Sequence, residues 1–339
     1  MQPHIARWDL DKTYLRTEFD TMRDLVRAAL ERPDEKRTNP GASTLLREMR
    51  RSGVSIHILS GSPEQMRKKL EHKLRLDGIV WDTFILKPNL RNILRFRFRA
   101  MRDQLGYKLP SLLAARAFAL PARLAQTHET LFGDDAEADA FVYSLYADVL
   151  SGKVDVATLE QICMRGRMYD DVLDTTLSAA RQSPKSPVVE RILIHLERQT
   201  APESFNVYGT RVVPFYNYLQ AAFVVHEDGR VGADGVVRVA EELVRDHRFG
   251  GAQLVASHRE LASRGHVTSK GAASVAQAAL AAANSGTRSE LARELEAFGK
   301  GMDDIANAGP PSARLPADEE RADVPDYPAL VLRHNRRSH

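Results

Sequence analysis

Asp9 and Asp11 stand two residues apart, directly after the apolar-rich segment His4–Trp8. Carboxylates at that spacing can face one crevice if the chain turns there. One can attack an electrophile such as phosphorus, while the other gives a proton to the leaving oxygen and later takes one from water. Those roles need different protonation states, which a close pair favours because both members do not readily ionise. The segment Asp9-Leu10-Asp11-Lys12-Thr13 also reads as a plain turn or a helix N-cap. A second polar cluster, Ser60-Gly61-Ser62-Pro63, follows the apolar run Val54–Leu59. The Ser60 hydroxyl is placed to hydrogen-bond an anionic oxygen, and a helix beginning near Pro63 would add amide donors and a favourable dipole. An ordinary N-cap serine is the plainer reading. The third cluster, Gly133-Asp134-Asp135 with Asp139 beyond it, follows Glu129–Phe132. Adjacent carboxylates are costly to desolvate unless they bind a cation or face solvent. Such a hard, oxygen-rich set suits Mg2+, which keeps several waters; a solvated acidic turn is the alternative.

The elements that must position these clusters alternate between strand and helix. After His4–Trp8 an apolar stripe of Phe19, Met22, Leu25, Val26, Ala29 and Leu30 predicts a helix over 18–32, broken at Pro33. Asn39-Pro40-Gly41 opens a second helix carrying Leu45, Leu46 and Met49, and Gly53 closes it. Val54–Leu59 reads as a strand and 63–76 as a helix with proline near its first position. One or two strands follow over 78–86, then helices over 89–105 and 109–124, then a short strand at Glu129–Phe132. Beyond Asp139 the pattern reads as helical to about Gly299. From about Asn307 the Pro, Asp, Glu and Arg content predicts a disordered tail. The three clusters thus fall at strand ends, where parallel α/β sheets place their ligands.

Composition narrows the classes. The chain has 339 residues, 43% hydrophobic and 27% charged, as in an ordinary globular protein. The net charge of +3 is a small difference between 48 basic and 45 acidic residues and does not by itself argue for nucleic acid or a membrane surface. The one cysteine, Cys163, excludes an internal disulfide framework and a cysteine-based zinc site within the chain. No apolar run is long enough to span a bilayer, and the first residues lack the pattern of a secretory signal, so a cytoplasmic location is expected.

In order and spacing the clusters resemble the signature of the haloacid dehalogenase superfamily. Asp9-Leu10-Asp11-Lys12-Thr13 looks like its first motif, Ile58–Pro63 like its second, and Phe132–Asp139 like its fourth. The Ser-Gly-Ser-Pro turn and the Gly-Asp-Asp segment followed by Phe141, Val142 and Tyr143 are similar to the fungal actin-patch phosphatidate phosphatase family and its bacterial relatives. The resemblance covers about residues 4–155. It implies an α/β, Rossmannoid three-layer core with a parallel sheet and a minimal cap over residues 1–153. A mostly helical extension is expected over 154–306, and the disordered tail over 307–339. It further implies a Mg2+-dependent phosphomonoester hydrolase, with Asp9 as nucleophile and Asp11 as acid/base. Asp9, Asp134 and the Asp11 carbonyl would surround Mg2+, supported by Asp135 and Asp139, and Ser60 would hold a phosphoryl oxygen. The third motif is a lone lysine, assigned to Lys108 ahead of Lys87.

A minimal cap leaves the site open to a bulky substrate or one presented on a surface, and the resemblance points to phosphatidate. Arg91, Arg95, Arg97, Arg99 and Arg102, interleaved with Phe96 and Phe98, suit a phosphorylated lipid surface or a nucleic-acid backbone, or form a solvated helix face. Two other functions stay open: a phosphotransferase, in which an alcohol replaces water, and an interaction protein that uses the helical extension as its binding surface. The sequence leaves the oligomeric state open.

Overall fold

His4–Asp9 (β1) is buried at every position, as a strand covered on both faces of a parallel sheet must be. It lies inside a six-stranded sheet of order β3-β2-β1-β4-β5-β6. The others are Ser55–Pro63 (β2), Thr83–Lys87 (β3), His128–Asp134 (β4), Val189–His195 (β5) and Val212–Phe215 (β6). The sheet is parallel, and the fold is α/β of the Rossmann-like kind. The computed structural model describes residues 3–16, 37–87, 101–119, 126–285, 289–308 and 324–337. The helix expected over 18–32 lies outside them, as do Arg91, Arg95, Phe96, Arg97, Phe98 and Arg99 of the basic stretch.

The strand order fixes where chemistry can sit. From β1 the chain moves outward through β2 and β3 on one side, then crosses to β4 on the other, so the order reverses between β1 and β4. Such a switch point opens a crevice at the carboxyl ends of the two strands. Trp8 pairs in register with Phe132, and their rings stack at 3.9 Å, which sets Asp9 beside Gly133 and Asp134. Deeper in the same pair of strands, Arg7 grips Glu129 through two hydrogen bonds of 2.8 Å.

The helices in chain order are Ala42–Arg51 (α1), Arg67–Leu76 (α2), Met101–Ala114 (α3), Asp139–Leu150 (α4), Val156–Arg165 (α5) and Asp170–Gln182 (α6). Then come Tyr218–Glu227 (α7), Ala233–His247 (α8), Gly251–Ser263 (α9), Ala272–Ser285 (α10), Glu290–Asn307 (α11) and Tyr327–Arg337 (α12). Gly53 ends α1 as expected: at φ 84° its amide bonds Arg50 O at 3.0 Å and that of Val54 bonds Met49 O at 3.1 Å. Every residue of α4 is buried, so this helix is core on all sides. No helix among the described residues is long and apolar enough to cross a membrane.

The chain divides into two compact units, and their boundaries differ from those read in the sequence. One holds Met1–Arg37, Ser55–Pro214 and Ala317–His339; the other holds Thr38–Val54 and Phe215–Pro316. The α/β part therefore runs well past residue 153, because β5 and β6 extend the sheet. The expected minimal cap also needs revision, since α1, between the first two polar clusters, belongs to the helical unit. The expected disorder of 307–339 fails at α12, which packs within the sheet-bearing unit. The Tyr327 hydroxyl donates to Asp148, whose other oxygen accepts from Arg211 at 2.7 Å, and the Tyr327 ring meets Phe141 edge-on at 5.4 Å.

Within the helical unit, His258 on α9 is 2% exposed, with the Phe223 ring edge-on at 4.9 Å. Burial pushes its imidazole down to about 4. The unfolded chain takes up that proton below about pH 6.5, whereas the folded unit resists it. Stability of this unit is expected to fall as pH drops from about 6.5 to 4, by at most about 3 kcal/mol from this group. Urea midpoints across that range, compared with those of His258→Gln, check it; an unchanged slope would clear His258 of the effect.

Candidate functional site

The loop after β1 folds back on itself at Lys12, whose φ of 60° lies in the left-handed region. The amides of Tyr14 and Leu15 both bond Leu10 O, at 3.1 and 2.8 Å. This turn aims two carboxylates in different directions. Asp9 stays on the strand, 1% exposed, where the Thr13 hydroxyl reaches its Oδ2 at 3.3 Å and Asp134 Oδ2 at 3.4 Å. Asp11 turns toward β2, where the hydroxyls of Ser60 and Ser62 both donate to its Oδ2, at 2.8 and 2.9 Å. The Ser60 carbonyl accepts from the Tyr107 hydroxyl at 2.7 Å, which ties the end of β2 to α3.

One turn of helix near Tyr107 also supplies the cation. Lys108 is fully buried, with its ammonium 3.3 Å from Asp9 Oδ1 and 2.8 Å from Glu137 Oε2, and in direct contact with Asp139. After β4, Asp134 Oδ1 accepts the amides of Ala136 at 2.6 Å and Glu137 at 3.0 Å, while Asp139 Oδ2 accepts the Asp134 amide at 3.1 Å. Gly133 is required by this arrangement: a Cβ there would lie 2.5–2.8 Å from the Asp139 side chain.

Asp9, Asp134, Glu137 and Asp139 each offer an oxygen, all within 4.8 Å of one another, and so form a group able to hold a metal ion. Burial holds the Asp9 carboxyl well above the usual range; Asp139, Glu137 and Asp134 add to it, and Lys108 opposes. Asp134 and Asp139 are raised chiefly by the same burial. Burial alone would lower the Lys108 ammonium, but Asp139, Asp9 and Glu137 outweigh it and hold it well above its ordinary value. One lysine thus faces four carboxylates, and Asp9 Oδ1 has no hydrogen bond. A hard divalent cation fits this set, because it offsets the residual charge and prefers oxygen donors.

The structure brings together Asp9, Asp11, Ser60, Lys108, Asp134 and Asp139, and it moves two assignments. Asp135 is not in the acidic group: its Oδ1 accepts the Arg198 amide at 2.8 Å and its Oδ2 the Thr200 amide at 3.0 Å. Its two oxygens are turned to backbone donors of another turn, away from the four grouped carboxylates. The Asp11 side chain, expected as the acid/base with only its carbonyl at the metal, lies outside the acidic group and is held by the two serines. Nor does Ser60 sit at a helix N-terminus. β2 runs on to Pro63, a 3-10 turn spans Glu64–Met66, and α2 begins only at Arg67. Lys87 ends β3, with its ammonium 5.7 Å from the centre of the Tyr107 ring. Glu137, Thr13, Ser62 and Tyr107 were not singled out by sequence. Glu137 was legible only as a third acid in Asp-Asp-Ala-Glu-Ala-Asp, and Thr13 as the close of the first cluster.

No family model matches the chain, and no curated protein or solved structure shows significant similarity to it.

Proposed function

We propose that this chain is a Mg2+-dependent phosphomonoester hydrolase that works through a covalent phosphoryl group on Asp9. The observation that carries this reading is the Asp9 carboxylate. It is buried at the switch point of the sheet, its Oδ1 lacks a hydrogen bond and faces Lys108, and three further carboxylates lie within reach of one cation. A carboxylate in that setting is placed to attack, and its neighbours are placed to hold the ion that a phosphoryl group needs. Asp9, Asp134, Glu137 and Asp139 would hold Mg2+, which supplies charge neutralisation for the transferring group.

The chain's own residues carry the remaining steps. The oxygen of Asp9 forms a bond to phosphorus as the ester oxygen leaves, and Asp11 gives that oxygen its proton. Ser60 and Ser62 fix Asp11 through Oδ2 and so set its direction. Water then attacks phosphorus, Asp11 takes its proton back, and phosphate departs with the Asp9 carboxylate restored. Lys108 favours the ionised form of Asp9 and adds a fixed positive charge beside the phosphoryl oxygens.

Phosphate release from a panel of phosphomonoesters, with Mg2+ and with a chelator, tests this. Release is expected only with Mg2+ and should return when the ion is restored. No release from any ester in the presence of Mg2+ would sink the reading. Phosphatidate in vesicles and soluble esters belong in the same panel, because turnover of the vesicle substrate alone would favour the lipid. An added alcohol acceptor distinguishes transfer from hydrolysis.

A further inference from the structure

Asp135 is the one acidic residue of the third cluster that the proposed chemistry leaves unused, and its actual role points to a new site. Its carboxylate clasps the turn at the carboxyl end of β5, through the Arg198 and Thr200 amides, while its own amide bonds His195 O at 3.0 Å. The clasp begins one residue after Asp134, so the metal-binding loop and this turn are tied together. Asp134 pairs in register with His195, which sets the turn beside the acidic group at the same end of the sheet.

We propose that the turn Glu197–Thr200 is a substrate subsite for a second anionic group, presented by Arg198 and held in position by Asp135. The proposal rests on the phosphoryl position assigned above and adds a substrate class: phosphomonoesters whose leaving group carries a carboxylate or another phosphate. Three observations converge on it. Arg198 is exposed and makes no ion pair among the described residues, so its charge is available to a ligand. Glu197, its acidic neighbour in the turn, lies 3.8 Å from the His195 ring. Gln199 holds a φ of 54°, a left-handed conformation uncommon outside glycine that the Asp135 clasp stabilises. Arg16, on the β1 loop, lies near enough to act on the Glu197 carboxyl, which burial raises, and so offsets the negative charge next to Arg198.

The geometry also sets the length of the ligand. β1 and β5 are separated by two strand spacings, about 10 Å, which is the scale of the separation between the phosphoryl position and a group on this turn. A second anion several bonds from phosphorus is therefore the right size. Asp135 acts through the turn and is a positioning residue, and Arg198 is the group that touches the ligand.

Equilibrium binding of two inert phosphonates in the presence of Mg2+ tests the proposal without any turnover. The probes are 5-phosphonopentanoate, which carries a terminal carboxylate, and pentylphosphonate, which does not. The wild-type chain is expected to bind the first about fivefold more tightly, the scale of one partly exposed charge pair. Arg198→Ala should bring the ratio to about one with pentylphosphonate affinity unchanged, and Arg198→Lys should keep most of it. Asp135→Asn should lower the ratio while Mg2+ affinity, measured separately, stays the same. Equal binding of the two probes by the wild type, binding of neither, or a ratio that survives Arg198→Ala overturns the subsite. Weakened Mg2+ binding in Asp135→Asn overturns the positioning role and returns Asp135 to the metal. A preserved ratio in a chain that releases no phosphate would overturn only the hydrolase reading.

Discussion

Asp9→Asn is expected to cut phosphate release at least about a thousandfold, as loss of a covalent nucleophile does, while leaving the metal-free protein as stable as before or more so. The two halves come from one cause. The substitution keeps the shape of the side chain and its contact with Thr13, so nothing in the packing of β1 is disturbed. It removes one negative charge from a buried group of four carboxylates that share a single lysine. The Asp9 carboxyl is raised above its unfolded value, chiefly by burial. Its destabilising effect is therefore absent at low pH and grows as pH rises above about 4 toward the folded value. With metal chelated, the melting temperature of Asp9→Asn should exceed that of wild type at pH 8, and the gap should close toward pH 5. Acid-quenched wild-type enzyme given a labelled phosphomonoester should carry label on Asp9, and the variant none. Release within tenfold of wild type would remove Asp9 as nucleophile. A lowered melting temperature at pH 8 would instead assign it a structural role.

Glu129→Ala is expected to destabilise the sheet-bearing unit by about 3–5 kcal/mol, the scale of a buried ion pair broken from one side. Glu129 is fully buried and accepts from Arg7 twice, from Arg116 at 2.8 Å and from the Tyr146 hydroxyl at 3.0 Å. Burial pushes its carboxyl up, but Arg7, Arg116 and Tyr146 outweigh that and hold it at about 2. Removing it strands two buried guanidinium groups with no carboxylate between them. Because the folded value is depressed, its contribution is present above the unfolded value, near pH 4.5, and fades as pH falls toward 2. Urea unfolding at pH 7 measures the loss, and Glu129→Gln should fall between the two. A double change, Arg7→Met with Glu129→Leu, should recover part of the stability, since apolar replacement of a buried pair is often tolerated. A loss below about 1 kcal/mol for Glu129→Ala would mean that the network contributes no more than a surface pair.

What the sequence disclosed and what it hid follow from the same physics. Polar residues directly after apolar runs mark strand ends, and this put Asp9, Ser60 and Asp134 in the correct region. Composition does not say which of two adjacent carboxylates turns inward. Asp134 does, while Asp135 meets two backbone amides from a turn about sixty residues later, and nothing local to 133–139 could reveal that contact. Lys108 was hard to place for a related reason. Pro110 suggests a break, yet it lies inside α3 and the lysine is on that helix. The Val188–Ile194 run, with Pro184 and Pro187 ahead of it, carried a β-branched signal that the helical reading of the second half passed over. α12 had no such signal: it is anchored by Tyr327, Leu330 and Val331 packing onto parts of the chain made long before.

That last contact bears on how the protein emerges from the ribosome. Neither unit is a continuous length of chain, because one stretch is lent to the helical unit between β1 and β2, and α12 returns to the first unit after the helical one is complete. Domains that occupy one unbroken stretch can fold in turn as they are synthesised. Here the buried partners of Tyr327, Asp148 and Phe141, must wait through the translation of the whole second unit before their cover arrives. Asp139 begins the helix that holds both. The helix that carries Asp139 into the acidic group therefore gains its last cover only after the whole helical unit has been made.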